Sequence, residues 1–105
     1  MRALFALPIL LAACAGEDRA TVAQGQQIAE TRCGACHATG RTGTSPRAGA
    51  PAFRDLHSRY PVDNLAESLA EGIVTGHPEM PEQSFSAEEV TALVAYLKSL
   101  ERPAQ

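Results

Sequence analysis

Five consecutive residues, Cys33-Gly34-Ala35-Cys36-His37, constrain this chain more than any other feature. Two thiols stand two residues apart and an imidazole follows at once. One tight turn of that length lines both sulfurs along one edge and sets the imidazole beside them. Three chemistries use such a set: a redox dithiol, a zinc site and covalent haem attachment. A thioredoxin-like dithiol belongs beside a βαβ pattern, and no convincing strand is legible here. A structural zinc ion wants four N or S ligands. The segment gives three, and the only other histidines are His57 and His77. Haem attachment suits the set best. Each of Cys33 and Cys36 can add across one haem vinyl group, and His37 can bind the iron from the proximal side. C-x-x-C-H reads as c-type haem attachment, and histidine is a usual axial ligand.

The rest of the chain fits a domain built around such a group. Its 105 residues allow one domain. Only 5% are aromatic and none is Trp, so the core is built largely from small side chains. A domain of this size usually needs a disulfide, metal or cofactor for comfortable stability.

The expected elements are helical. Thr21 and Gln24 read as a capping box that opens a helix running to about Arg32. Its inward face takes in Val22, Gly25 and either Ile28 or Ala29. Ala38 to Ala52, rich in Gly, Pro, Thr and Ser, reads as loop. A loop that long in a compact domain is usually functional or packed on something. Pro61 precedes a second helix with Asp63 or Asn64 as N-cap, Leu65 and Leu69 on one face, and Gly72 as its stop. The segment from Ile73 to Phe85 is again irregular. Ser86 and Glu89 form a second capping box, and Val90, Leu93, Val94, Leu97 and Leu100 recur at helical spacing. Pro103 ends that helix. The class is all-α.

Met80 is the only methionine besides Met1. It lies in Gly76-His77-Pro78-Glu79-Met80-Pro81, and Pro81 disfavours a helical conformation for the residue before it. An extended loop suits a side chain that reaches across to a metal. Thioether sulfur is a soft ligand favouring Fe(II), so a His37/Met80 pair raises the reduction potential. The competing role for Met80 is a core gap-filler. His77 is the rival ligand, and His57 reads as surface.

The amino terminus has its own logic. Arg2 is followed by an apolar run from Ala3 to Ala13, too short to span a bilayer but suited to an export signal. The run ends in Leu11-Ala12-Ala13-Cys14, which resembles the lipobox of bacterial lipoproteins. That resemblance implies cleavage before Cys14 and a diacylglyceryl group on its sulfur, and it accounts for the odd third cysteine. The division is then 1–13 signal peptide, 14–20 lipidated terminus and tether, 21–105 domain. Six extended residues reach roughly 20 Å, which keeps the domain near the lipid. The alternative is an ordinary signal cut near Ala13 or Ala15, leaving a soluble periplasmic protein.

Net charge is −3, which does not suggest nucleic-acid binding. The charges are segregated. Residues 31–60 hold five Arg against one acid, and residues 61–105 hold eight acids against two bases. Such blocks bear on association more than on fold.

In these motifs and their order the chain resembles the class I c-type cytochromes, in particular the short bacterial monohaem kind. The likeness runs from about Val22 to Leu100. Cys33, Cys36 and His37 match the haem-binding segment. Ala50-Pro51-Ala52-Phe53 matches the segment whose proline carbonyl, here of Pro51, accepts a hydrogen bond from the proximal imidazole. Gly76 to Pro81 matches the methionine-ligand loop, and Ala95-Tyr96-Leu97-Lys98 the terminal helix. The resemblance implies three to four helices wrapped around one covalent haem c. It implies a first and last helix packed closely where Gly25 faces Leu93 and Tyr96. It also offers Arg54, Arg59 and Tyr60 as contacts of the haem propionates. The chain departs from the family in two places. Ala29 stands where an aromatic residue is common, with Ile28 as a neighbour to fill the gap. Lys98 is the one lysine, so the family's lysine-rich docking ring does not carry over.

The implied function is non-enzymatic electron transfer by a His/Met-ligated haem c at the periplasmic side of a bacterial membrane. The expected partners are the membrane, through Cys14, and redox proteins such as a quinol-oxidising complex, a terminal oxidase or a periplasmic dehydrogenase. Two alternatives stand beside it: a gas-binding or peroxidatic haem protein with a labile sixth position, and an electron-wire subunit docked in a larger complex.

Overall fold

The computed structural model describes residues 3–6, 17–72, 80–81 and 83–102. Among them the architecture is helical with no strand: α1 (Glu17–Arg32), a 3₁₀ helix Phe53–Ser58, a 3₁₀ turn Val62–Asn64 running into α2 (Leu65–Glu71), and α3 (Ala87–Ser99).

α1 begins at Glu17, five residues before Val22, the first helical residue that Thr21 as N-cap implies. Glu17 and Asp18 are its first residues. Thr21 therefore lies inside the helix. Part of the expected tether, residues 17–20, is helical rather than extended. Cys14 lies outside the described residues, as do Ile73 to Glu79 with His77 among them.

α3 starts where the sequence pattern puts it. Ser86 Oγ accepts from the Glu89 backbone N–H at 3.1 Å, and Glu89 Oε1 accepts from the Ser86 N–H at 3.0 Å. Two donors that the helix itself cannot satisfy are thereby paired, an arrangement worth about 1 kcal/mol. Gly72 ends α2 with φ of 96°, a conformation glycine adopts without a Cβ penalty.

α1 and α3 form the frame, and their approach is set at Gly25. A Cβ on Gly25 would lie 2.0 Å from the Ala92 carbonyl oxygen and 2.7 Å from Tyr96 Cβ. Small residues continue the contact, with Ala29 and Ala92 fully buried. Ala29, not Ile28, therefore takes the inner position, and Ile28 packs at its margin. Leu93, Tyr96, Leu97 and Leu100 carry the α3 side of a core completed by Phe53, Leu56, Val62, Leu69 and Phe85.

The long loop after the cysteine segment is hung from the rest of the molecule. Tyr96 Oη donates to the Thr39 carbonyl. Arg41 donates to the carbonyls of Ser99 and Arg102 at 2.6 and 2.7 Å, satisfying oxygens left over at the end of α3. Inside the loop, Ser45 Oγ accepts from the Ala38 N–H at 3.0 Å, and the Arg47 N–H donates to the Cys36 carbonyl at 3.1 Å.

Candidate functional site

The cysteine segment leaves α1 without a break. The Cys33 N–H still donates to the Ala29 carbonyl at 2.9 Å, after which Cys36 and His37 both donate to the Cys33 carbonyl, at 3.2 and 3.0 Å. This folds residues 33–37 into one tight turn. Gly34 permits it, since a Cβ there would meet the Glu30 carbonyl oxygen at 2.5 Å. Cys33 and Cys36 are free thiols, half-buried, and His37 is half-buried beside them.

The imidazole is held from two sides. His37 Nδ1 lies 2.7 Å from the Pro51 carbonyl oxygen. A carbonyl only accepts, so Nδ1 carries the proton and Nε2 keeps its lone pair for a metal. The Phe53 ring packs at 4.9 Å between centroids, tilted 40°. The Phe53 N–H in turn donates to the Ala38 carbonyl at 2.9 Å, which ties the proline segment to the residue after His37.

This chemistry does not suit the rival readings. A redox dithiol needs a thiol acidified by its surroundings. Burial instead pushes the Cys33 thiol above its ordinary range, and the Arg32 guanidinium offsets this only in part. Among the described residues, no three His, Cys, Asp or Glu side chains gather as ligands of a bare ion would.

The other site residues read from the sequence fall at different places. Met80 is half-buried in a bend and Pro81 is exposed. Arg54 is half-buried, and its Nη1 is enclosed with no hydrogen-bond partner. It lines a cavity of about 240 Å³ together with Ser45, Arg47, Gly49 and Ala52. A buried guanidinium nitrogen without an acceptor is costly, and a carboxylate is the acceptor it matches. Arg59 and Tyr60, by contrast, are exposed and do not line that cavity. His57 is exposed as well.

Sequence reasoning missed Arg32. It sits directly before Cys33, yet its guanidinium packs over the Phe85 ring at 3.9 Å and donates to the Ser84 carbonyl at 3.2 Å. Nothing local signals this, because the partners stand more than fifty residues away. Gly34 could have been noticed, since a glycine directly after a helix end is an ordinary mark of a tight turn.

The donor set and the orphaned Arg54 nitrogen fit one group: a haem with two vinyl carbons for the thiols, an iron for imidazole nitrogen and carboxylates for arginine. A family model described as Cytochrome c matches residues 22–101. No curated protein and no solved structure gives a significant match.

Proposed function

The chain belongs to the cytochrome c family, which brings covalently bound haem c and haem-based electron transfer, and from that premise we propose that it is an electron carrier in which His37 and Met80 would bind the haem iron. Haem c supplies a one-electron Fe(III)/Fe(II) couple. Cys33 and Cys36 hold the group through thioethers. His37 presents Nε2 to the iron while its Nδ1–H donates to Pro51, which fixes the ring and raises its basicity as a ligand. Met80 contributes a soft thioether that favours the reduced state. Arg54 holds a propionate with its otherwise unpartnered nitrogen. Arg59 and Tyr60 are left to the surface by their exposure.

The observation that carries the reading is the 2.7 Å contact of His37 Nδ1 with the Pro51 carbonyl, formed beside two free thiols in one turn. It presents a lone-pair nitrogen and leaves no thiol paired off in a disulfide.

With His37 and Met80 both bound, the iron would have no place left for a substrate, which favours transfer over catalysis. The protein works at the periplasmic face of a bacterial membrane, anchored by lipid on Cys14. It exchanges electrons there with redox proteins such as a quinol-oxidising complex, a terminal oxidase or a periplasmic dehydrogenase.

Absorption spectroscopy tests the ligand pair. The oxidised protein is expected to show the weak Fe(III)–thioether charge-transfer band, and Met80→Ala to abolish it. A high-spin wild-type spectrum overturns the reading in favour of an open sixth position and a gas-binding or peroxidatic protein.

A further inference from the structure

The cluster that the function above leaves unused surrounds Arg32. Three contacts run from this residue to the segment that follows Met80, and a fourth reaches Glu89 in α3. The guanidinium carbon lies 3.9 Å from the centroid of the Phe85 ring. Nη2 donates to the Ser84 carbonyl at 3.2 Å. Nη1 meets Glu89 Oε2 at 3.5 Å. In the opposite direction, Gln83 Nε2 donates to the Arg32 carbonyl at 3.0 Å. Phe85 is fixed from a further side, because it is buried and its N–H donates to the Leu69 carbonyl at 3.0 Å.

We propose that Arg32 and Gln83 are positioning residues that latch the stem of the Met80 loop to the cysteine turn and so keep Met80 in reach of the iron. The inference rests on Met80 being a ligand. Arg32 is joined by one peptide bond to Cys33, the first point of covalent attachment. Gln83 stands three residues after Met80. The stem cannot drift from the attachment turn without breaking the contacts of Gln83, Ser84 and Phe85.

Their weights differ. The Arg32–Glu89 pair is long and about a third exposed on each side, and such pairs contribute little. The latch depends more on the two hydrogen bonds to backbone carbonyls and on the cation–π contact. Sulfur is also a weak ligand by itself, so the time Met80 spends off the iron depends on how firmly its loop is held.

The test uses the oxidised holoprotein mixed with excess imidazole. Once imidazole saturates, the rate at which the thioether band disappears is the rate at which Met80 lets go. Arg32→Ala is expected to raise that rate about tenfold, in line with losing one charged hydrogen bond and one cation–π contact. Gln83→Ala, a milder change, is expected to raise it several-fold. Arg41→Ala is the control. It removes two hydrogen bonds at the opposite end of α3 and is expected to leave the rate within about twofold of wild type, as distant sites act independently.

Wild-type rates in both Arg32→Ala and Gln83→Ala overturn the latch. So does equal acceleration in Arg41→Ala, which would mean that any loss of stability loosens Met80. If Arg32→Ala does not accumulate as holoprotein, Gln83→Ala decides alone. A wild type without the thioether band overturns the Met80 reading and the latch with it. A normal band with unchanged rates overturns the latch only.

Discussion

His37 has two ring nitrogens, and Pro51 occupies one of them. That single contact determines which nitrogen is free to bind, and it does so with a backbone atom that no side-chain substitution removes. Glu89 shows the same economy. Its carboxylate accepts from the Ser86 N–H and lies near Arg32, and these contacts hold its pKa below the ordinary glutamate range, the Ser86 backbone bond contributing most. The folded pKa is depressed, so the stabilisation is fully present above the unfolded value of about 4.3 and fades as pH falls through the folded value. Glu89→Gln keeps an amide able to complete the capping box but removes the charge. The wild type is therefore expected to be more stable than Glu89→Gln from neutral pH down to about pH 5, and the gap to close in more acidic solution. Chemical unfolding of both proteins across that range checks it, and parallel curves would contradict the assignment. At this scale the sequence told much about local chemistry and little about distant contacts. The Cys33–His37 segment states its own purpose, and the Pro51 contact followed from the resemblance. The Arg32–Phe85 and Arg41–Ser99 contacts join residues more than fifty positions apart and leave no mark in either neighbourhood.

Between elements, the decisive contact is α1 against α3. Helix propensity alone favours Ala over Gly by about 1 kcal/mol in a helix interior. At Gly25 the added carbon would sit 2.0 Å from a backbone oxygen of α3, which cannot rotate away. Overpacking of that kind costs about 1–3 kcal/mol or more, so packing outweighs propensity. Gly25→Ala is expected to destabilise the holoprotein by about 3 kcal/mol, read as a lower denaturant midpoint. A raised midpoint would mean the helices separate at no cost. Ser86 and Glu89 were legible as the start of α3 because both partners of a capping box lie within four residues. Thr21 and Gln24 offer the same pattern, but α1 already begins at Glu17 and Thr21 lies inside it. The 3₁₀ helix Phe53–Ser58 escaped detection because so short an element has no period to read.

For the molecule as a whole, part of the arginine charge serves structure. Of the five arginines between residues 31 and 60, Arg32 and Arg41 spend their donors on backbone carbonyls, and Arg54 lines the cavity. Arg59 remains exposed. Among the described residues, no helix is long and apolar enough to cross a membrane. The membrane proposal rests on Cys14. Mass spectrometry of the mature protein is expected to find a chain beginning at Cys14 with a diacylglyceryl adduct, and Cys14→Ser to release the protein from membranes. A mature chain with an unmodified Cys14 thiol would overturn the anchor. With residues 17–20 helical, each advances about 1.5 Å instead of about 3.4 Å. On the proposed anchor at Cys14, the domain would sit closer to the lipid than an extended tether would hold it.

The clasp at the end of α3 also has a meaning in time. Tyr96 and Arg41 join residues 57 to 61 positions apart, and α1 closes against α3 over a similar span. Contacts of that range wait for the last part of the chain. A chain emerging amino terminus first offers Cys33 and Cys36 well before Arg102 arrives. The cysteine turn is thus made before the helix whose contacts close the frame beside it.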